Sequence, residues 1–329
     1  MVRAKVKISR IFRYLAVTTG LLAATLPAAA QTYPSRSISL IVGYSPGGQA
    51  DLIARTVAKR LEETFKVSVV VENRPGAGGM IAAQSVAKAA PDGYTLVLVT
   101  DAMMTIDAHL QGANKFDINA SLDPLINMIF APLFVAVHKD VPADSVKALA
   151  EFGKQKPQAL SFGTSGASTP HRLAGEILQK RGGFTMLHVP YKGTAASVAD
   201  VVGGQIPVVV GAATALQPHA ETGKIKILGV TSRERFPSMP NVPAIAETFD
   251  GFNVVSYMGL MVPKGTPADV VGLLNKEING IVNDPAMKVW MEKQGMIPAG
   301  GAPDDFRRQI DADFQARGEV IRDIGLKSE

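Results

Sequence analysis

Cysteine is absent from all 329 residues, so no disulfide braces the chain and no cysteine carries a lipid anchor. In an oxidising compartment the fold must then rest on a hydrophobic core of ordinary size. Also missing is any apolar run long enough to cross a bilayer. The longest, residues 14–26, falls well short of the ~20 residues a spanning helix needs, which excludes stable membrane insertion. The five histidines, His109, His138, His171, His188 and His219, lack metal-ligand spacing, and core or surface roles are expected for them.

An excess of charge is lacking too, once the N-terminus is set aside. Arg3, Lys5, Lys7, Arg10 and Arg13 precede the apolar run, and Ala28-Ala29-Ala30 follows it before Gln31, as in a secretory leader cleaved after Ala30. Removing those five from the 34 Lys and Arg leaves 29, against 29 Asp and Glu. A mature net charge near zero gives no electrostatic footprint for nucleic acid. The mature chain is expected to be soluble and exported. Its length, about 300 residues, suits two domains.

What is present is organised around residues 37–55, SISLIVGYSPGGQADLIAR. A short apolar run ends at Gly43, a Pro-Gly-Gly turn follows, and helix-forming sequence begins. Backbone N–H groups at such a helix start, with the positive end of the helix dipole, make Gly47, Gly48 and Gln49 an anion site. The same stretch matches the G-x-S-x-G elbow of serine hydrolases at 43–47. That reading fails on one donor, because the residue after Ser45 is Pro46, which has no N–H to supply to an oxyanion.

From residue 37 short apolar runs alternate with amphipathic ones, the pattern of an α/β chain with mainly parallel strands. In the helix from residue 51 to about 63, Ile53, Val57 and Leu61 share one face. Valines over 67–71 predict a strand buried on both faces. Gly76, Gly78 and Gly79 follow, but Ile81 stands where a dinucleotide fingerprint needs its third glycine. A tight strand-to-helix crossover is expected instead, with Arg74 as an ion-pair partner. Further strands are predicted over 94–100, 133–137, 159–162, 185–189, 208–210 and 225–230, with helices over 145–154, 168–180, 194–203 and 215–222. The loop 163–169, Gly-Thr-Ser-Gly-Ala-Ser-Thr, repeats the opening arrangement, and two such loops imply a cleft between domains. Prolines at 237, 240 and 243 mark a surface excursion, and two closing helices, the last from Asp304, are expected to pack back on the first domain.

Several of these stretches together resemble the substrate-binding receptors of tripartite tricarboxylate transporters, the Bug receptors. They are Tyr33-Pro34, Pro46-Gly47-Gly48 followed by Asp51 and Ala54-Arg55, the run ENRPGAGG at 72–79, and PDGYTL at 91–96. In the second half they are Ser165-Gly166, Pro170-His171, LAGE at 173–176, VPYKG at 189–193 and Gly204-Gln205. The likeness covers essentially all of the mature chain. It implies a two-domain periplasmic-binding-protein fold, each domain a mainly parallel sheet flanked by helices, with residues 31–130 and 255–329 in one domain and 131–254 in the other. It further implies a monomer, free of cofactors and not an enzyme, that closes on a small organic carboxylate and hands it to the membrane subunits of a transporter. A sensory role beside a signalling protein is compatible with the same fold.

Carried over residue by residue, the ligand-binding candidates of the first loop are Tyr44, Ser45, Pro46, Gly47, Gly48 and Asp51. Those of the second are Thr164, Ser165, Gly166, Ser168 and Thr169, with His171 orienting the loop. Asp51 has an alternative role as an acid complementing the helix dipole, and Ser168 and Thr169 as helix caps. Asp101 departs from the family pattern. Either it points away from the cleft or it meets an amine on the ligand. Met103 and Met104 either line an apolar subsite or pack in the core. Gly211-Ala212-Ala213-Thr214 stands where the family commonly has an acid.

Overall fold

The apolar runs become strands of one curled, mixed sheet in the order β2-β1-β3-β9-β4-β7-β5-β6, with β8 and β10 attached to β4. This computed structural model describes residues 33–110 and 116–326, so the expected leader and its cleavage site lie outside the described residues. The first strand set is β1 (Ile38–Val42), β2 (Val69–Asn73) and β3 (Thr95–Thr100), mutually parallel in register. Between them run α1 (Gln49–Phe65), which buries Ile53, Val57 and Leu61 as its spacing predicts, and α2 (Met80–Ala87). β2 departs from expectation. It is the edge of the sheet, not a strand covered on both faces, and Val70 is 48% exposed.

The strand expected over 133–137 is the end of a far longer one. β4 (Leu122–His138) runs 17 residues and serves both halves of the sheet. Through Pro132 it pairs antiparallel with β9 (Val255–Pro263), and from Leu133 onward with β7 (Val208–Ala212) and β8 (Ile225–Val230). The second strand set is completed by β5 (Ser161–Thr164), parallel to both β6 (Leu187–Pro190) and β7. Parallel pairing therefore holds at the outer strands of each set. The central pairs of β9, β4, β7 and β8 are antiparallel, because the chain crosses between the sets twice and returns in the opposite sense.

Alternation along β4 divides the second core in two. Leu133, Val135 and Val137 face α3 (Val146–Gln155) and α4 (Pro170–Gly182), while Phe134 and Ala136 face α5 (Thr194–Val202) and α6 (Ala213–Glu221). Each large side chain so buried contributes about 1.5–3 kcal/mol. The closing helices, α7 (Ala268–Asn283), α8 (Pro285–Lys293) and α9 (Pro303–Asp323), follow, with a two-residue β10 (Ile297–Pro298) after α8. Both α7 and α9 pack on β4, and Phe306 and Ile310 of α9 enter the first core. Met103 and Met104 are fully buried in that same core, so they fill it and line no subsite.

Candidate functional site

Parallel strands place the loops at their C-terminal ends side by side, and the two Gly-rich loops sit at those ends of β1 and β5. The first, residues 43–48, is seated on backbone. A Cβ on Gly43 would lie 2.5 Å from the Cα of Gly79, so the crossover after β2 presses directly on the end of β1. Gly78 and Gly79 have positive φ (64° and 100°), which is the crossover role expected of them, and Arg74 pairs with Glu72 at 2.8 Å. Tyr44 is clamped over this junction. Its hydroxyl donates to the Gly78 carbonyl (2.9 Å) and shares a hydrogen bond with Thr100 Oγ1 (2.9 Å), and burial pushes the phenol up to about 12.

Asp51 holds the loop in shape from below. Its carboxylate accepts from the Gly47 N–H (3.0 Å), Arg55 Nε (3.0 Å) and Asn73 Nδ2 (2.9 Å). The Arg55 bond is the largest influence on it. Burial opposes, the bonds from Gly47 and Asn73 add, and the carboxyl is lowered to about 2. Asn73 also donates to the Tyr44 carbonyl (3.0 Å), so one amide ties loop, helix start and β2 together. Asp51 is 4% exposed, and the three donors on it give it a positioning role in the loop. The Gly47 N–H is spent on the same bond. Ser45, Pro46, Gly47 and Gly48 are exposed, and α1 starts at Gly48 with no side chain capping it, leaving its first turn open to an incoming acceptor.

The second loop, residues 165–169, follows the same logic with hydroxyls. Thr164 is fully buried. Its Oγ1 donates to the Gly166 carbonyl (2.9 Å) and bonds His188 Nε2 (2.8 Å), so it braces the turn. Thr169 is the N-cap of α4, its Oγ1 bonded to the Gly166 carbonyl (2.8 Å) and to the Arg172 N–H (3.4 Å). Ser165 Oγ pairs with His171 Nδ1 at 3.1 Å, the orienting role expected of that histidine. Burial lowers His171 to about 4 against the opposing pull of Asp101, and lowers His188 to about 4 as well. Both rings are therefore neutral at pH 7. Ser165, Gly166 and Ser168 remain half-buried at the loop surface.

Asp101, at the end of β3, exerts its charge on both Tyr44 and His171, so the two loops converge on it. Fully buried, it accepts from Arg317 Nη1 and from Ser256 Oγ (2.7 Å), so its charge has an internal partner. Sequence reasoning did not find Arg317, on α9, nor Asn73 as a positioning residue. It also missed Gln294-Gly295 before β10. Gln49 Nε2 donates to the Gln294 carbonyl (3.2 Å), and a Cβ on Gly295 would sit 3.4 Å from Ala213 at the start of α6. Among the described residues no group of His, Asp or Glu is placed to hold a metal, and no helix is long and apolar enough to cross a membrane.

Two loops at the ends of parallel strands, each rigidly supported and each presenting the start of a helix, define a solute-binding receptor of the periplasmic type. The family described as "Tripartite tricarboxylate transporter family receptor" matches residues 53–326, and the chain belongs to it. A UPF0065 protein of Bordetella bronchiseptica is 34% identical over 298 residues, covering 90% of this chain and 87% of that one. A solved periplasmic transporter structure is 34% identical, covers 90% of this chain and 99% of its own, and superposes with a TM-score of 0.78. The structure of Rpa4515 from R. palustris with adipate is 30% identical at a TM-score of 0.79, covering 90% and 99%.

Proposed function

We propose that this chain captures a small organic carboxylate in the periplasm, after removal of its leader behind Ala30, and delivers it to a tripartite tricarboxylate-type membrane transporter. The observation that carries the reading is the pairing of two loops whose donors are neutral. One offers the uncapped start of α1 and the exposed run 45–48. The other offers Ser165, Gly166 and Ser168 beside a neutral His171. Such donors suit a carboxylate held by hydrogen bonds and helix-start dipoles without a cationic clamp. The bound adipate of the R. palustris relative supports a dicarboxylate as the first ligand to try.

On this reading residues 31–130 with 255–329 form one domain and 131–254 the other, and the ligand favours closure by touching both. The crossings that flex are β4 at Pro132 and the chain entering β9 at Val255, where pairing partners change. The test is thermal melting of the mature protein, unfolded and refolded to strip carried-over ligand, against dicarboxylates, tricarboxylates, aromatic acids, amino acids and neutral sugars. A ligand at 100 times its dissociation constant stabilises the folded state by ~2.7 kcal/mol, enough to resolve. Stabilisation confined to sugars or to cations would sink the carboxylate assignment.

A further inference from the structure

We propose that a cavity of about 400 Å³ behind the crossing, lined by Phe130, Tyr257, Leu173, Ile177, Asp313 and Arg317, binds a small alkylammonium cation. None of its lining residues belongs to the two loops, and it is large enough for a small ligand. Its walls come from β4, β9, α4, α9 and the segment 253–255.

The chemistry inside is unbalanced in one direction. Arg317 is the single cationic side chain of the lining, and it is already committed, to Asp101 through Nη1 and to the Val255 carbonyl through Nη2 (3.0 Å). Burial works against its charge, but Asp101, Tyr257 and Asp313 outweigh that and hold it above the ordinary arginine value. An anion entering the cavity would therefore find no uncommitted positive charge and would face Asp313. Asp313 makes the opposite case. With Arg317 bonded to Asp101, its carboxyl is the further negative group of the lining, and burial raises its pKa against the pull of Arg317, Tyr257 and Gln309.

A second observation points the same way. The Tyr257 hydroxyl is buried, on a residue 1% exposed, lies beside the Asp313 carboxylate and makes no other hydrogen bond among the described residues. Its oxygen is an acceptor for a donor placed in the cavity. The rings of Phe130 and Tyr257 meet edge to face at 6.4 Å and give the cavity an aromatic wall, while Leu173 and Ile177 supply an apolar wall for an alkyl chain. An ammonium donating to Asp313 and Tyr257 brings hydrogen bonds and a balancing positive charge together, which a hydrocarbon or an alcohol of the same size does not.

Isothermal titration of the mature protein with n-butylammonium chloride tests this, with n-butanol and sodium butyrate as neutral and anionic counterparts in mildly alkaline buffer. Butylammonium should give a saturable one-to-one heat, and Asp313→Asn should weaken it about tenfold or more. Ala316→Phe, at the cavity wall on α9, should block it without touching the charge cluster. Equal binding of butanol, full binding by both variants, or no saturable heat would each overturn the proposal. Competition by adipate would do the same, by placing the amine at the loops.

Discussion

Asp101 and Arg317 face each other as a buried ion pair although 216 positions separate them in sequence, with side chains 1% and 9% exposed. The pair fastens the end of β3 to α9, and Ser256 adds the start of β9 to the same junction. Removing one partner strands a charge out of water, so Asp101→Asn should destabilise the protein by about 3–5 kcal/mol in urea unfolding. The double variant Asp101→Leu with Arg317→Met should recover most of that loss. A double variant as unstable as the sum of the singles would show that the two residues are not coupled.

Asp51 gives a prediction in acid. Its carboxyl is held at about 2 against an ordinary 3.8, so its stabilisation is fully present above about 3.8 and is lost as pH falls through about 2. Asp51→Asn should therefore cost about 1.5–3 kcal/mol at neutral pH, the worth of a hydrogen bond to a charged group, and the difference from the parent protein should shrink below pH ~2. Loss of ligand-induced stabilisation in the same variant would follow from a loosened first loop. A melting series across pH in which the gap stays constant would contradict the carboxylate's role.

His171 and His188 give a second window of the same sign at higher pH. Both are lowered from 6.5 to about 4, chiefly by burial, so the unfolded chain takes up protons first as pH falls. The stability they contribute is complete above about 6.5 and is lost progressively down to about 4. The two together should account for about 1–3 kcal/mol, allowing for solvent screening at partly exposed rings. Imidazole titration by NMR should show both midpoints near 4, and a midpoint above 6 for either ring would refute the burial argument.

Gly43 tests the backbone seat of the first loop. An added Cβ would meet Gly79 Cα at 2.5 Å, and backbone cannot swing aside as a side-chain tip can. Gly43→Ala should cost about 1–3 kcal/mol and weaken ligand binding together with stability. At Gly272, where a Cβ meets open space within α7, the same change should be harmless or slightly stabilising.

Much of this was legible in the sequence because glycine, proline and serine announce turns, and residues 43–48 and 163–169 carry them between apolar runs. The hydrogen bonds inside the turns were not. A buried threonine bracing Gly166 and a half-buried serine bonded to His171 are written with similar letters, and only folding tells Thr164 from Ser165. β4 was read at its C-terminal end alone, since Pro124 and Pro132 argue against a strand. The sheet accommodates Pro124 next to one of two register shifts, and Pro132 falls where β4 leaves β9, so neither proline interrupts a regular ladder. Arg317 lay beyond reach for a different reason. No local pattern distinguishes it from other arginines of an amphipathic helix.

The continuity of β4 also bears on how the chain comes apart. Its first part is laddered to β9 and its last part to β7 and β8, so each set of strands borrows a central member from the same segment. Neither set can lose its ladder without exposing a strand edge in the other, which couples them into one cooperative unit. Amide hydrogens along residues 126–137 should be among the last to exchange with solvent. A domain motion that leaves them protected must bend this strand without unpairing it, whereas residues 131–254 expressed alone would lack part of it and should not fold.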